Sequence, residues 1–560
     1  MKKFYREGKA LLVLLVIAVL LSSVCACGQE GTDKQTTTQS AASGNVEGTT
    51  APESTKQVIA NFNETGYPIV NEPITLKICG ALGSTTAKWE GNSLFEHLTK
   101  VTGIKFEMDT YAATAWTDRK ALIFASKDLP DLFISAGLSA KETAQYGGDG
   151  QLTVLNDLIS SYAPNIQEAF RKYPAAKAGS TSRDGNIYAL PIINVVPRDL
   201  HNRYWINTKW LKNIGKEVPA TLDELYDVLV AFKEKDANGN GNPNDEIPVS
   251  GLINTSLSVE SIDALVLNAL GVNTNKGNYW RAVKDGKVYC KNIMPEYKEY
   301  LKYMSKLYKE KLLDNDVFVQ TNEQFNAKAQ QGVVGCFQSA ASYITCGTEI
   351  GYDYTQFDAL TSSLSSTKMV AAGPGVIFNI GAITKANKFP EATIRLLDYC
   401  YSEEGSRVCY YGEENVGWKW VDKAAGTWNT IVPKGYETDD QHRAVVTAIL
   451  GLPSWYRTEF LNGIENKDTA WLNGMTAKYS EPYFELTFPS LNFTQEELDI
   501  TAPIDSDVKS YVHEQRAKFI IEGNIDETWD AYVATVEKMG IGKVMEIVQK
   551  VYDQYQEAMK

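Results

Sequence analysis

The sequence predicts an α/β protein with parallel sheets that carry helices on their faces. In residues 74–135, stretches typical of strands alternate with stretches typical of helices. This β-α-β-α-β order favours a parallel sheet, which binds ligands at the carboxyl ends of its strands. The chain has 560 residues, 44% of them hydrophobic and 22% charged, so it is long enough for two or more globular domains.

Each element of this first sheet has its own sequence pattern. Ile74–Cys79 alternates apolar and polar residues and ends at a glycine, which predicts a strand. Ser93–Thr102 has one apolar helical face and a glycine after its last residue. Ile104–Met108 is the second predicted strand, and a helix over Lys120–Ser126 leads to a third strand within Leu129–Ser135.

The first 26 residues have the pattern of a lipoprotein signal peptide. A basic start is followed by the apolar run Ala10–Leu21, whose 12 residues fall short of the roughly 20 needed to span a bilayer. An aliphatic Val24 and a small Ala26 precede Cys27, which is therefore the predicted lipidated residue. Cys25 is the poorer alternative.

Residues 27–57 are predicted to be a flexible tether behind the lipidated cysteine. They are rich in Thr, Ser, Gly, Gln and Ala and contain no aromatic residue, so they cannot bury enough apolar surface to fold. This arrangement predicts a monomer held by its lipid at the extracellular face of a Gram-positive cell membrane, with a periplasmic lipoprotein as the alternative. The net charge of −14 argues against nucleic acid as a partner.

Six further cysteines are scattered through the chain without metal-binding spacing. Most are expected to be buried thiols. A disulfide between Cys400 and Cys409, or between Cys336 and Cys346, is the alternative.

An oxygen-rich loop is the most informative motif. Thr221 and Glu224 form a capping-box pattern, in which the Glu224 carboxylate is expected to bond the Thr221 amide, and the helix that follows runs into a D-x-N-x-N-G sequence. Such spacing turns oxygens inward around Ca²⁺, which takes six to eight of them. The candidate ligands are Asp236, Asn238, Asn240, Asn242 (through its carbonyl), Asp245 and Glu246. An Asn- and Gly-rich turn without metal is the alternative.

The stretch from Arg203 to Pro248 resembles the central signature of large extracellular solute-binding lipoproteins of carbohydrate ABC transporters. The matching positions before the loop are Trp210, Leu211, Gly215, Pro219, Thr221 and Glu224. Further resemblance at residues 102–104, 125–131, 185–191, 390–405 and 511–523 extends it over nearly all of the chain after residue 60. The loop is about one residue longer than the usual form in this family, which affects whether Asn244 or Asp245 matches the ligand position.

The resemblance implies a two-lobed, type II periplasmic-binding-protein-like fold with a cleft between the lobes. On this basis lobe 1 comprises residues 58–189 and about 360–430. Lobe 2 comprises residues 190–359 and about 431–560 and carries a structural calcium loop at 236–246.

The resemblance also implies a non-catalytic function. The protein is expected to close around a carbohydrate, an oligosaccharide given its 11 Trp and 30 Tyr, and to deliver it to ABC permease subunits and their ATPase. A secreted glycoside hydrolase or lyase with a carboxylate pair, or a protein that binds peptides or another solute, are the alternatives.

Aromatic residues in predicted loops are the candidate sugar contacts, because a sugar stacks its C–H faces on aromatic rings. The candidate ligand-binding residues are Trp280, Tyr188, Trp418, Trp420, Trp455 and Arg457. Each has a structural alternative: Trp280 in a core, Tyr188 as hinge packing, one of Trp418 and Trp420 facing inward, and Arg457 in an ion pair between the lobes.

Overall fold

The computed structural model describes residues 59–83, 88–253, 259–260, 262–274 and 280–559. The predicted signal peptide, Cys27 and the tether lie outside these residues. Ile59–Lys560 forms one compact unit by its internal contacts. Within the described residues, no helix combines the length and apolar character needed to cross a bilayer.

Residues 74–133 alternate strands and helices, as predicted, and four consecutive helices then lead to the fourth strand. The first helix begins after Asn92, whose side chain accepts a hydrogen bond from the Leu94 amide, and ends at Gly103, which has a positive φ of 79°. The elements are β1 (Ile74–Leu82), α1 (Ser93–Thr102), β2 (Ile104–Ala112), α2 (Ala113–Ser126), β3 (Leu132–Phe133), α3 (Ala140–Gly148), α4 (Asn156–Tyr162), α5 (Pro164–Lys172), α6 (Pro174–Ser180) and β4 (Leu190–Asn194).

The middle region contains the helix that leads into the oxygen-rich loop. The Thr221 hydroxyl accepts from the Glu224 amide at 3.1 Å, as predicted, but the Glu224 carboxylate accepts from the Ala220 amide instead of the Thr221 amide. The elements are β5 (Tyr204–Asn207), α7 (Thr208–Ile214), α8 (Leu222–Glu234), β6 (Ile247–Val249), β7 (Leu252–Ile253), β8 (Val259–Glu260), α9 (Asp263–Ala269), β9 (Arg281–Lys284), β10 (Lys287–Cys290), α10 (Pro295–Lys309), α11 (Asn322–Gln330), β11 (Val334–Gln338), α12 (Ser342–Cys346) and β12 (Tyr354–Gln356).

The last region returns to the first sheet and then ends in three long helices. The elements are β13 (Val370–Ala372), β14 (Val376–Ile383), α13 (Pro390–Tyr401), α14 (Glu403–Tyr411), β15 (Trp418–Asp422), β16 (Thr427–Thr430), α15 (Asp439–Val446), β17 (Ser454–Tyr456), α16 (Lys467–Tyr479), β18 (Phe484–Leu486), α17 (Gln495–Glu522), α18 (Ile525–Lys538) and α19 (Ile541–Ala558).

Two sheets organise these elements, and each has its own hydrophobic core. Sheet 1 has the strand order β17-β4-β14-β3-β1-β2, with β1 parallel to β2 and β3 and with β14 antiparallel to its neighbours. Sheet 2 has the order β12-β5-β11-β6. Leu76, Leu98 and Leu397 belong to the core of sheet 1, whereas Leu229 and Val544 belong to a separate core beside sheet 2 that includes the last helices.

Two strands differ from the predicted division of the chain. β4 and β17 are hydrogen-bonded to each other within sheet 1, although they fall in segments 190–359 and about 431–560 that the sequence assigned to lobe 2. The segment around Trp455 is thus an edge strand of sheet 1, where the sequence predicted a loop. The strand has only three residues, Ser454–Tyr456, between Pro453 and Arg457, which is too short for a recognisable alternation of apolar and polar residues.

All six cysteines in the described part of the chain are buried free thiols. This confirms the main expectation for them. The alternative pairs Cys400–Cys409 and Cys336–Cys346 are not disulfides in this structure.

Candidate functional site

The chain passes between the two sheets after β4. β4 ends at Asn194, and β5 begins at Tyr204. Because β14 is antiparallel to both β3 and β4, β4 runs parallel to β3, so Asn194 lies at the carboxyl edge of sheet 1. In sheet 2, Tyr204 pairs with Gln338 at the carboxyl end of β11. The carboxyl edges of both sheets therefore meet at this crossing, the position where α/β proteins bind ligands.

Tyrosines and a stacked arginine form the wall on the side of sheet 1. Tyr456 ends β17, and its ring stacks on Tyr410 with centroids 3.8 Å apart. The Arg443 guanidinium lies 4.2 Å from the centroid of Tyr410 and donates to Asp440 at 2.6 Å. Tyr410 and Arg443 are both partly exposed. This wall thus offers a partly exposed tyrosine together with a planar cation.

Aromatic rings also form the wall on the side of sheet 2. Tyr343 lies on α12, five residues beyond the end of β11, and stacks near Tyr352 with centroids 5.8 Å apart. Trp471 on α16 packs edge-on against Tyr352 at 5.2 Å and stacks on the buried Trp205 at 5.3 Å. The Tyr352 hydroxyl donates to Asp468. Tyr352 and Trp471 remain partly exposed.

Charged side chains belong to both walls, with Asp440 beside Arg443 and Asp468 beside Tyr352. Burial, followed by the negative charges of Asp440, Asp439 and Asp468, raises the pKa of Tyr343. Burial and the adjacent Asp440 also raise the pKa of Asp439, whereas Arg443 and Arg198 lower it. Groups from both walls therefore affect one another electrostatically. We name this cluster the crossing site, and its members are Arg198, Asp199, Arg203, Tyr343, Tyr352, Tyr410, Asp439, Asp440, Arg443, Asp468 and Trp471.

The crossing site has the chemistry of a carbohydrate site. Partly exposed Tyr and Trp rings can stack on the C–H faces of sugars, and carboxylates and guanidinium groups can bond their hydroxyls. None of its members was among the sequence candidates. Its segments lie far apart along the chain, so no local pattern in the sequence brings them together.

Three of the sequence candidates are buried in hydrophobic cores. The ring of Trp455 is 1% exposed and packs against Tyr173, so it presents no face to a ligand in this structure. Trp418 is 4% exposed, and its indole N–H donates to the Gly412 carbonyl. Burial at these positions follows from strands that turn alternate side chains inward.

Tyr188 is the third buried candidate. Its hydroxyl donates to Asp184 at 2.6 Å, and its ring covers α3 so closely that a Cβ at Gly147 would lie 2.7 Å from it. Burial, followed by the hydrogen bond to Asp184, raises the pKa of Tyr188. The structure thus supports the packing alternative for this residue.

Trp280 and Trp420 are partly exposed. Trp280 packs against the core beside sheet 2, which is its structural alternative. Trp420 lies 5.2 Å from Trp418, and the Arg407 guanidinium is 5.1 Å from its ring centroid. It lines a cavity of about 610 Å³ together with several glutamates of α14 and the following turn.

Arg457 pairs within the surroundings of sheet 1. It lies 3.6 Å from Glu168 on α5, stacks 3.8 Å from the Trp455 centroid and donates to the Tyr401 carbonyl. Since α5 belongs to the core of sheet 1, the expected ion pair between lobes is not the one observed. The guanidinium is already held by three partners and is not part of the crossing site.

The oxygen-rich loop is held together by its own polar groups. The Asp236 carboxylate accepts from the amides of Asn240 and Gly241 at 3.0 and 2.9 Å. The side-chain amides of Asn238 and Asn240 donate to Asp245 at 2.9 and 2.7 Å. Gly241 has a φ of 87°, which its lack of a side chain permits.

The donor set of this loop fits a hard cation. Glu246 Oε1 accepts from the backbone amide of Asn238, whereas Oε2 is buried and has no hydrogen-bond partner among the described residues. Burial raises the pKa of this carboxyl. Asn242 lies beside these groups, because its amide donates to Asn240. No cluster of three His, Cys, Asp or Glu is found among the described residues, so the carboxylates would have to move closer together around a Ca²⁺, with amide and carbonyl oxygens completing its six or more ligands.

A family model described as "Bacterial extracellular solute-binding protein" matches residues 90–406. The fructooligosaccharide ABC transporter substrate-binding protein FusA of Streptococcus pneumoniae serotype 4 is 29% identical over 509 residues, which cover 88% of this chain and 92% of FusA. Lipoprotein LipO of Bacillus subtilis is 28% identical over 52% of this chain and 55% of its own length.

Solved structures show the same architecture. FusA in complex with kestose superposes with a TM-score of 0.74 at 28% identity, covering 86% of this chain and all of that chain. A FusA structure described as an EF-hand mutant also has a TM-score of 0.74, at 27% identity and the same coverage. The alginate-binding protein AlgQ2, at 22% identity and a TM-score of 0.70 over 87% of this chain and all of its own, supports the fold alone. The two-lobed α/β fold predicted from the sequence is confirmed.

Proposed function

Because this chain belongs to the bacterial extracellular solute-binding protein family, we propose that it is the substrate-binding component of an ABC importer for oligosaccharides. It captures the sugar between its lobes and delivers it to the permease subunits, which the associated ATPase drives. The crossing site carries this proposal, because it lines the meeting point of two sheets with rings and hydroxyl-binding groups. Similarity to FusA over 88% of the chain supports an oligosaccharide as the ligand.

The solute would be bound without chemical change. Capture by lobe closure needs a pre-existing balance between open and closed states that the ligand shifts. The crossing site supplies contacts from both sides of the chain crossing, so a sugar bound there would favour the closed state. FusA is likewise described as a substrate-binding protein, and the hydrolase alternative has no support beyond the abundance of carboxylates.

We also propose that the loop 236–246 binds one structural Ca²⁺. Asp236, Asp245 and Glu246 would supply carboxylate oxygens, and Asn238, Asn240 and the Asn242 carbonyl would supply neutral ones. In the structure both Asn amides donate to Asp245, and rotating each amide would turn its oxygen toward the same place. Glu246 Oε2 is buried without a hydrogen-bond partner among the described residues, and a bound cation would offset the free-energy cost of burying this charge.

We propose that the mature protein is a monomer anchored by lipid on Cys27, with residues 27–57 as its tether. This would place the folded body, with lobe 1 and lobe 2 free to move, at the extracellular face of a Gram-positive membrane. LipO, a lipoprotein by name, supports such an anchor.

Thermal unfolding of residues 59–560 with a panel of neutral and acidic oligosaccharides, peptides and monosaccharides tests the proposal. A ligand that binds only the folded state raises the unfolding midpoint by mass action. We expect a rise with an oligosaccharide, and chromatography of the recovered sugar should find it intact. A rise with peptides alone, or a cleaved sugar, would contradict the proposed function.

A further inference from the structure

The positive charges of the crossing site are already matched by carboxylates. Four cations and four carboxylates of the described residues belong to the site or lie next to it. The cations are Arg198, Arg203, Arg443 and Lys467, and the carboxylates are Asp199, Asp439, Asp440 and Asp468. Arg443 pairs with Asp440 at 2.6 Å, and Asp199 lies 3.7 Å from Arg198 and 4.0 Å from Arg203. No excess of positive charge is therefore left for an anionic ligand.

The arginines are also held in place by contacts other than these ion pairs. Arg443 is stacked on Tyr410, and Arg203 donates to the backbone carbonyl of Arg198. The side chains of Arg198 and Arg203 are only 8% and 10% exposed. A uronate carboxylate is usually bound by an arginine that can offer it two parallel N–H groups, and such an arginine would first have to leave its aspartate here.

Asp439 differs from the other carboxylates of the site. It is partly exposed at the start of α15, and the structure gives its carboxylate no hydrogen bond or ion pair among the described residues, whereas the neighbouring Asp440 is paired with Arg443. A carboxylate in this position can accept hydrogen bonds from sugar hydroxyls, and it repels a second carboxylate.

We infer that the crossing site selects neutral oligosaccharides over uronate-containing ones, with Asp439 as the hydroxyl acceptor that enforces this choice. The inference rests on the proposed function and adds a charge class to it. It requires that the neutral sugar donates hydroxyl protons to Asp439, while the arginines remain paired with their aspartates. A uronate would bring its charge next to an unpaired carboxylate in a site whose four cations are balanced by four carboxylates.

Isothermal titration calorimetry of residues 59–560 with trisaccharides of matched length tests this inference. The neutral probes are kestose, maltotriose and raffinose, and the acidic probe is trigalacturonic acid. We expect at least one neutral probe to bind and trigalacturonic acid to bind at least 100-fold more weakly. Binding of trigalacturonic acid within tenfold of the best neutral probe would overturn the inference and leave the proposed function standing. No binding of any oligosaccharide would instead defeat the proposed function, and the inference with it.

Asp439→Asn tests the residue itself. We expect at least tenfold weaker binding of the neutral probe and a smaller neutral-to-acidic affinity ratio, because the repulsive charge is gone. The matched control is Asp223→Asn, since Asp223 is an exposed aspartate that, like Asp439, lies in the first turn of a helix that begins after a threonine. A purely structural role would lower the unfolding midpoint and leave the affinity ratio unchanged, which would overturn the assignment. Asp439→Ser is the second variant if Asp439→Asn folds poorly.

Discussion

The oxygen-rich loop and the crossing site are two polar clusters that the chain builds in opposite ways. All candidate ligands of the loop lie within residues 236–246, and backbone amides of the same stretch fix their positions. The crossing site takes Arg198, Tyr343, Tyr410, Asp439 and Trp471 from distant segments. A local motif is visible in a sequence, whereas a cluster assembled by two sheets becomes visible only when their strand order is known.

The same difference explains why the aromatic candidates were only partly right. The sequence Pro-Ser-Trp-Tyr-Arg around Trp455 is typical of a loop. In the structure this segment is a strand that pairs with β4, and the Trp455 ring points into the core. Its neighbour Tyr456 is buried as well, but it stacks on Tyr410, a partly exposed member of the crossing site. Adjacent residues of this strand thus pack in different clusters, and of the two only Tyr456 supports a ring of the crossing site.

The largest effect is expected from truncating a candidate that the structure buries. Trp455→Ala removes a ring with almost no exposed surface, and such truncations cost about 3 to 5 kcal/mol of unfolding free energy. Sugar affinity should stay within twofold of the wild type. Chemical denaturation and calorimetry measure the two quantities. Weaker sugar binding with unchanged stability would return Trp455 to the ligand-binding surface and break the comparison.

The fold was easier to predict than the site. The strands and helices up to Ser135 occur in their predicted order, because hydrophobic alternation and glycine stops are local signals, although α2 begins seven residues before the predicted Lys120. The crossing site needed the pairing of β4 with β17 and of β5 with β11, which no local pattern encodes. A partial signal was present in the Thr438-Asp439-Asp440 helix start, which places carboxylates at a helix end without indicating what they face.

Asp398 on α13 is a third polar group to compare, because it joins distant segments of the chain as the crossing site does but has a purely structural role. Asp398 accepts from the Ile166 amide at 2.9 Å and from Asn165 at 2.8 Å, and burial raises its pKa to about 6 from 3.8. The folded state thus holds this proton more tightly than the unfolded state. Between about pH 4 and pH 6 the free energy of unfolding should fall as pH rises, by about 3 kcal/mol at most, and then level off.

Asp398→Asn cannot titrate and is the reference for this measurement. Urea denaturation of both proteins from pH 3.5 to 7.5, in the absence of sugar, isolates the contribution of Asp398 as the difference between the two curves. A difference that is flat across pH 4 to 6, or that grows in favour of the wild type, would contradict the assignment of a raised pKa.

Removal of calcium should have the next largest effect, and it acts on the local cluster. At a calcium concentration 100 times the dissociation constant, binding stabilises the folded state by about 2.7 kcal/mol. Adding a chelator should therefore lower the unfolding midpoint of the wild type. In Glu246→Gln the chelator should have less effect, because one charged ligand is lost.

The stability of Glu246→Gln relative to the wild type should change sign between chelator and calcium. Glu246 Oε2 is buried without a partner, so in chelator Glu246→Gln should be at least as stable as the wild type, whereas in calcium it should be less stable. A variant that is destabilised equally in both conditions would show that the loop is an Asn- and Gly-rich turn without metal.

The smallest effect is expected from a conservative change in the crossing site. Arg443→Lys keeps the positive charge but loses the planar group that stacks on Tyr410 and pairs with Asp440. We expect about tenfold weaker binding of the neutral sugar, equivalent to about 1.4 kcal/mol, with an unchanged unfolding midpoint. Arg407→Lys is the matched control, because Arg407 also stacks on aromatic rings, Trp418 and Trp420, and pairs with a glutamate. If Arg407→Lys weakens sugar binding and Arg443→Lys does not, the ligand binds at the predicted Trp420 surface and the crossing site is a structural cluster.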